Sequence, residues 1–390
     1  MLLETKSPNL QIGNSAGGPM KKTGCILFFL FMICWVLPAH GEAPIDIAAI
    51  YALTGAAAES NRLALEGVGY AVDEINTQGG ILGRKINLLV FDNQSTPIGS
   101  TLAAKRAAEA NVAAIVGSDW SSHSIAVARV AQQVGIPMIS SYSTNPEVTK
   151  IGNFIFRVCF TDDFQGKIIA RFARQDLKVT TAVIFIDVTS DYSLKLSEIF
   201  RKNFEQLGGR ILLELEYKIK QQQFDQEIKK AVEADAEVIF VPGHDESGLI
   251  VKQAQDAGTA SIFLGGDGWS TPAFFRKGGS ELKHGFYSTH WSVYLDTDQS
   301  RAFVKKYNIH SESHIVTTAL AYDATMLLVR AITRANSTNR KRIRDAIANT
   351  RSFKGVTGTI SFNDFGDPVK SAVFMEIKNG KPGYLKTLNP

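Results

Sequence analysis

From Ile45 onward, short apolar runs alternate with longer segments whose apolar residues recur every three to four positions. That is the pattern of buried strands followed by amphipathic helices. Ile45 to Leu53 is a nearly continuous apolar run, as expected of a strand covered on both faces in a parallel sheet. A helix is predicted from about Glu59 to Thr77, a strand over Ile86 to Asp92 and a helix over about Pro97 to Asn111. The glycine-rich stretch Gly79 to Lys85 follows a helix and precedes a strand, the reverse of a phosphate-binding loop, and is read as a helix C-cap and turn. Next come a strand at Ala114 to Gly117, a helix at about His123 to Val134 and a strand at Pro137 to Ser140. Asn153 to Phe160 is extended, Thr161-Asp162-Asp163 looks like a capped helix start, and the alternation then repeats. Strands are predicted at Ala182 to Ile186, Ile211 to Tyr217, Val238 to Val241 and Ile262 to Gly265. The helices between them cover Tyr192 to Leu207, Phe224 to Ala234 and about Asp245 to Ala257. A strand over Gly285 to Trp291 leads to helices around Asp298 to Tyr307, Val316 to Arg334 and Asn339 to Asn349, the chain returning to its first half. Thr357 to Phe362 and Ala372 to Lys378 read as strand, turn, strand.

Two successive alternating blocks predict an α/β fold of two doubly wound parallel-sheet lobes. No low-complexity linker separates them, so short extended crossovers forming a hinge are expected, with a ligand cleft between the lobes. Residues 42–160 plus 291–356 are assigned to lobe 1, and 161–290 plus 357–390 to lobe 2.

In such sheets ligands bind beyond the carboxyl ends of the strands. Two polar turns occupy that position in neighbouring units, Ser118 to Ser122 and Ser141 to Asn145. Ser121 and Ser122 stand where a helix begins, so their hydroxyls and the first-turn N–H groups suit a carboxylate. Tyr142 and Thr144 add a ring and a further donor from the second turn. The plainer reading makes Ser121 or Ser122 an ordinary N-cap and Tyr142 a loop residue.

Residues 1–41 differ in kind. Lys21 and Lys22 precede the apolar run Ile26 to Leu37, followed by Pro38 and Ala39-His40-Gly41, the pattern of a secretory signal peptide cleaved after Gly41. Residues 1–19 lack that character and read as an extension ahead of a start at Met20. The run is shorter than the roughly 20 residues that span a bilayer. The full chain of 390 residues carries a net charge of +4; loss of Lys6, Lys21, Lys22 and Glu4 with the signal leaves +2. A near-neutral chain argues against nucleic acid as a partner. Cys25 and Cys34 leave with the signal, so Cys159 remains alone, which excludes an intramolecular disulfide and a cysteine-based zinc site. No cofactor or metal is expected.

Several stretches together resemble the type I periplasmic binding proteins, in the branched-chain amino acid (leucine, isoleucine, valine) branch of ABC-transporter substrate-binding proteins. They are LTG at Leu53 to Gly55, AVDEINTQGGILGRKINLLVFDNQSTP at Ala71 to Pro97, VGSDWSS at Val116 to Ser122 and PMISSYSTNPEVT at Pro137 to Thr149. AYDA at Ala321 to Ala324 and FNDFGD at Phe362 to Asp367 complete the set. The resemblance implies a periplasmic, monomeric protein whose lobes close on an amino acid or related carboxylate and pass it to ABC permease membrane subunits. By the same resemblance, Ser121 and Thr144 fall where the family binds the α-carboxylate, and Tyr142 where a backbone carbonyl meets the α-ammonium. Asp267 falls where an acidic residue meets that ammonium. Tyr192 resembles the tyrosine lying against the ligand, and His244 sits in a loop that often holds an aromatic contact. Each also has a plainer reading: Asp267 as a turn residue, Tyr192 as core, His244-Asp245 as a helix start. Ser95 and Trp120 stand at the positions of a disulfide common in leucine-type relatives. Asp119 and Trp120 lie beside the side-chain pocket, where smaller or apolar residues are usual, so the large ring would shrink the pocket or stack on an aromatic ligand.

An enzyme is disfavoured, because residues 42–390 have no G-x-S-x-G elbow, no H-E-x-x-H and no glycine-rich phosphate loop in the right context. A binding protein that reports an aromatic or other small carboxylate to a receptor would use the same cleft, and is the alternative to transport.

Overall fold

The computed structural model describes residues 42–309 and 316–390; the signal-peptide reading of residues 1–41 lies outside them. Strand β1 (Ile45–Tyr51) is an interior strand of the first sheet, paired in parallel with β2 (Ile86–Asp92) and β3 (Ala114–Gly117). The sheet continues through β4 (Met138–Ser140) to β5 (Ile155–Arg157), in the order β2-β1-β3-β4-β5. The apolar run of β1 is continuous because both faces are covered. Ile47, Ala49 and Tyr51 enter one core, while Ala48 and Ile50 enter another.

Helix α1 (Ala58–Thr77) covers the first of these faces with Ala64, Val68, Val72 and Ile75. On the opposite face lie α2 (Pro97–Glu109) and α3 (Ser121–Val134), which contribute Ala103, Ala104, Ala107, Val127 and Ala131. Local chemistry sets these boundaries. Thr96 caps α2 by accepting the Gly99 N–H, with Pro97 following it, and α3 stops at Gly135 in the left-handed region (φ 68°). A single turn, α4 (Glu147–Lys150), precedes β5.

The chain then crosses into a seven-stranded sheet. Thr161 caps α5 (Asp162–Arg171) through the Phe164 N–H, as the Thr-Asp-Asp sequence predicts. Strand β6 (Thr181–Asp187) lies between β7 (Arg210–Tyr217) and β8 (Val238–Val241), followed by β9 (Ile262–Gly265) and β10 (His284–Thr289). The helices α6 (Asp191–Gln206), α7 (Asp225–Ala234), α8 (Ser247–Asp256) and the short α9 (Pro272–Lys277) connect them. Here too the first strand is interior and buried on both faces: Val183 and Phe185 of β6 meet one core, Ala182 and Ile184 the other.

After β10 the chain returns to the first sheet. Helix α10 (Asp298–Lys306) is followed by α11 (Val316–Ala335), which lies against α1, and by α12 (Arg340–Ala348). The two long helices approach so closely that a Cβ on Gly67 would stand 2.1 Å from the Thr318 carbonyl oxygen.

Two details at the C-terminus differ from the sequence reading. The strand expected at Thr357 to Phe362 does not pair with the strand at Ala372. Its core, β12 (Gly358–Ile360), forms an antiparallel hairpin with β11 (Phe353–Gly355), and Phe353, Val356, Ile360 and Phe362 join the first-lobe core. The second sheet is also not wholly parallel. Strand β13 (Ala372–Lys378) runs antiparallel to β10, and β14 (Lys381–Leu388), absent from the sequence reading, runs antiparallel to β13. Strand β14 carries Lys381, Pro382, Gly383 and Lys386 and is only half-buried, so its pattern is that of an edge strand and escapes a search for apolar runs.

Candidate functional site

The carboxyl ends of the two sheets meet along a seam, and all eight residues selected from the sequence lie on it. From the first lobe come Trp120, Ser121, Ser122, Tyr142 and Thr144, in the turns after β3 and β4. From the second come Tyr192 at the start of α6, His244 after β8 and Asp267 after β9. Direct contacts cross the seam. The Tyr142 hydroxyl donates to the Asp267 carbonyl oxygen at 2.6 Å, Asn145 Nδ2 donates to the Asp191 carbonyl oxygen at 2.7 Å, and the Trp120 ring stacks on His244 with centroids 4.0 Å apart. At the rim Arg276 and Glu59 form an ion pair between lobes.

Most hydroxyls of the first-lobe turns bind the two turns to each other. Ser124 Oγ and Ser140 Oγ both donate to the Ser118 carbonyl oxygen, at 3.0 and 2.9 Å, and Ser143 Oγ donates to that of Asp119 at 2.7 Å. Ser141 Oγ donates to Asp119 Oδ1 at 2.6 Å and is itself 2.9 Å from the Tyr51 hydroxyl. Arg157 is fully buried at the end of β5 and supports the second turn. Its Nη1 donates to the Ser143 carbonyl oxygen at 2.6 Å, its Nη2 to Thr149 Oγ1 at 2.9 Å, and its Nε lies 2.6 Å from Asp367 Oδ1.

The N-cap reading of Ser121 and Ser122 is corrected by this arrangement. Helix α3 begins at Ser121, Trp120 occupies the cap position, and no side chain caps the helix. Ser121 Oγ instead accepts the Asn145 N–H at 3.2 Å, and Ser122 Oγ accepts the Asp191 N–H at 3.3 Å across the seam. No side chain therefore caps the partial positive charge of the α3 N-terminus, where the His123 N–H donates to the Trp120 carbonyl oxygen at 3.0 Å. The Thr144 hydroxyl lies beside Asp162, whose carboxyl burial pushes well above the usual range against the effect of that hydroxyl.

In the second lobe the turn Gly266-Asp267-Gly268 is forced by close approaches. A Cβ on Gly266 would stand 2.2 Å from the Tyr192 hydroxyl, and one on Gly268 would stand 2.2 Å from the Gly243 carbonyl oxygen. Trp269, fully buried, anchors the turn by donating from Nε1 to the Val241 carbonyl oxygen at 3.0 Å. Asp267 is 2% exposed. Its Oδ1 accepts from Gln165 Nε2 at 2.9 Å, and its Oδ2 lies 3.0 Å from His290 Nε2. Burial lowers the His290 pKa, opposed by Asp267, so the imidazole is neutral and holds its proton on Nε2 toward the carboxylate. Both Asp267 oxygens thus face neutral donors. Tyr192 accepts the Gly268 N–H at 3.3 Å and tilts against His244.

Sequence reasoning missed Gln165 and His290. Gln165 stands one turn beyond the recognised Thr161 cap, and His290 follows β10 and tilts against Phe160 with centroids 3.7 Å apart. They are 102 and 23 residues from Asp267 along the chain, and no local pattern marks either.

Trp120 is held between two imidazoles, His123 at 5.4 Å and His244 at 4.0 Å between centroids. Burial is the main cause that lowers both pKa values, His244 to about 3 and His123 to about 4. Because both are depressed below the ordinary value, the stack holds fewer protons than the separated lobes. Its contribution is full above about pH 6.5 and is lost as pH falls toward these values. We expect the His244 imidazole to remain neutral at pH 5 in ¹⁵N-edited NMR spectra of the closed protein. A midpoint near 6.5 would mean that the stack does not form.

A separate, mainly apolar cavity of about 480 Å³ lies in the first lobe, lined by Phe303, Tyr307, Tyr322, Met326 and Phe353 around Glu74. It contains none of the seam residues.

The model of the periplasmic binding protein family matches residues 44–382. A leucine-binding protein from Thermotoga maritima is 34% identical, with a TM-score of 0.85 over 89% of this chain and 99% of that one. The branched-chain amino acid transporter substrate-binding protein of Streptococcus pneumoniae, solved with isoleucine, is 30% identical, with a TM-score of 0.83 over 89% and 100%. A Leu/Ile/Val-binding protein homologue of Brucella abortus is 28% identical over 370 residues, 93% of this chain and 98% of its own. A two-lobed α/β frame with its seam at the strand ends, matched along nearly its whole described length, places this chain in the periplasmic binding protein family, type I, alongside the branched-chain amino acid ABC-transporter substrate-binding proteins.

Proposed function

We propose that the chain is an exported solute-binding protein that captures a small amino acid, or a closely related carboxylate, between its lobes and delivers it to an ABC-type permease. The supporting observation is the placement of Asp267. A carboxylate buried at the seam and met only by neutral donors favours a cation, and the uncapped start of α3 in the opposite lobe favours an anion. A zwitterion supplies both, drawing its two ends from different lobes, so that ligand stabilises the closed arrangement over the open one. Ser121 and Thr144 would take the carboxylate, Asp267 the ammonium, and Tyr192, Trp120 and His244 would wall the site, with Tyr142 and Ser122 joining the lobes around it. No covalent step is involved. Among the described residues no helix is long and apolar enough to cross a membrane. We read the protein as a periplasmic monomer, released by cleavage after Gly41.

The test is a thermal-shift screen of the protein, unfolded and refolded to remove carried ligand, against α-amino acids and against aromatic acids that lack an amine. A ligand at a hundred times its Kd stabilises the folded form by about 2.7 kcal/mol. Stabilisation by α-amino acids is expected. Stabilisation only by acids without an amine would overturn the zwitterion reading in favour of an aromatic-carboxylate binder.

A further inference from the structure

Asp119 is as buried as Asp267, at 2% exposed, and lies in the turn between β3 and α3 on the same seam. One of its oxygens is fixed. Oδ1 accepts the Ser141 hydroxyl, which the Tyr51 hydroxyl supports from behind, so the carboxyl group is held in one orientation. The other oxygen, Oδ2, has no hydrogen-bond partner among the described residues. Native structures rarely leave such an atom unpaired, because an unsatisfied buried polar group costs about 1–3 kcal/mol. Its neighbours lie on the seam. The adjacent Trp120 makes the ring stack that crosses the seam, and the Tyr142 hydroxyl feels Asp267 and Asp119 together. His244, the partner of Trp120 in that stack, likewise has an unpartnered Nδ1. A ligand carrying a single ammonium, already matched to Asp267, leaves Asp119 Oδ2 for a second polar group.

Building on the amino-acid reading above, we propose that Asp119 selects the ligand side chain: its free Oδ2 hydrogen-bonds the hydroxyl of a small hydroxylated α-amino acid. A hydroxyl suits this atom better than an ammonium. Burial pushes the Asp119 carboxyl up to about 7, against the Ser141 hydrogen bond, so near neutrality the group alternates between accepting and donating. A hydroxyl pairs with either form, whereas an ammonium only donates. A purely aliphatic side chain would leave Oδ2 buried and unpaired.

The test compares threonine with its isostere valine by isothermal titration calorimetry on the stripped protein. Threonine is expected to bind about tenfold to a hundredfold more tightly, the cost of one unsatisfied buried group. In Asp119→Leu the preference should disappear or reverse, with valine gaining; Asp119→Ala serves the same purpose if the leucine variant does not fold. Equal or tighter binding of valine by the unaltered protein overturns the proposal while leaving the amino-acid reading intact. Retention of the threonine preference in the Asp119 variants overturns it as well. If no α-amino acid binds the folded, stripped protein, the amino-acid reading itself fails and this proposal falls with it.

Discussion

Asp267→Asn is expected to weaken amino-acid binding at least about a hundredfold while the ligand-free protein keeps its fold. The magnitude follows from breaking one side of a buried charge pair, which typically costs about 3–5 kcal/mol. The carboxylate is buried, and the groups that face it, Gln165 and His290, are neutral donors, so neither can take over the ligand's ammonium. The fold should tolerate the change. The asparagine oxygen can keep one of the two hydrogen bonds. His290, whose Nδ1 has no partner, can move its proton to that nitrogen and accept from the new amide through Nε2. The Tyr142 bond is made to the Asp267 backbone and is unaffected. Titration calorimetry on the stripped variant, with its melting temperature as a control for folding, checks this. Binding within a few-fold of the unaltered protein would remove Asp267 from the role proposed for it.

Arg157→Leu should carry the largest stability cost, about 3–5 kcal/mol. The guanidinium is fully buried and joins three parts of the chain: the second seam turn through Ser143, α4 through Thr149, and the C-terminal segment through Asp367. Leucine fills part of the volume but leaves the Ser143 carbonyl with only the weak Cys159 thiol donor, at 3.2 Å, and Asp367 without its cation. The urea midpoint should fall accordingly. Because the Ser143 peptide lies between Tyr142 and Thr144, ligand affinity should fall with stability, by roughly tenfold, the worth of one lost charged hydrogen bond. A change in the urea midpoint equivalent to less than 1 kcal/mol would show that the network is not acting as a unit. Unlike Asp267→Asn, this substitution loosens the frame of the site, so the two are separated by the melting temperature of the ligand-free protein.

Much of the frame was legible because the first strand of each lobe is interior to its sheet and buried on both faces. Continuous runs such as Ile45 to Leu53 and Ala182 to Ile186 stand out, and the start of α5 announces itself through Thr161. The placement of the two polar turns at the carboxyl ends of β3 and β4 followed from the same alternation. What failed were elements whose sequence is shaped by exposure or by distant neighbours. Strand β14, half-buried at an edge, has no apolar run to find. The pairing of β12 with β11 rather than with β13 depends on Asp323, distant in sequence, which accepts the N–H groups of Val356 and Thr357 and holds the hairpin against α11.

Local order along the chain, then, determined the two α/β lobes and the placement of Ser121, Tyr142, Thr144, Tyr192, His244 and Asp267 on one seam, because periodicity and capping act over a few residues. Only the tertiary structure decided what each side chain does there. The serines that the plainer reading made caps of α3 reach instead to Asn145 and Asp191, Tyr142 bridges to Asp267, and Gln165 and His290 close around that carboxylate. Hydrogen bonds form between groups that burial brings within 3 Å or so of one another. Partners a hundred residues apart become neighbours only when both lobes have folded and met.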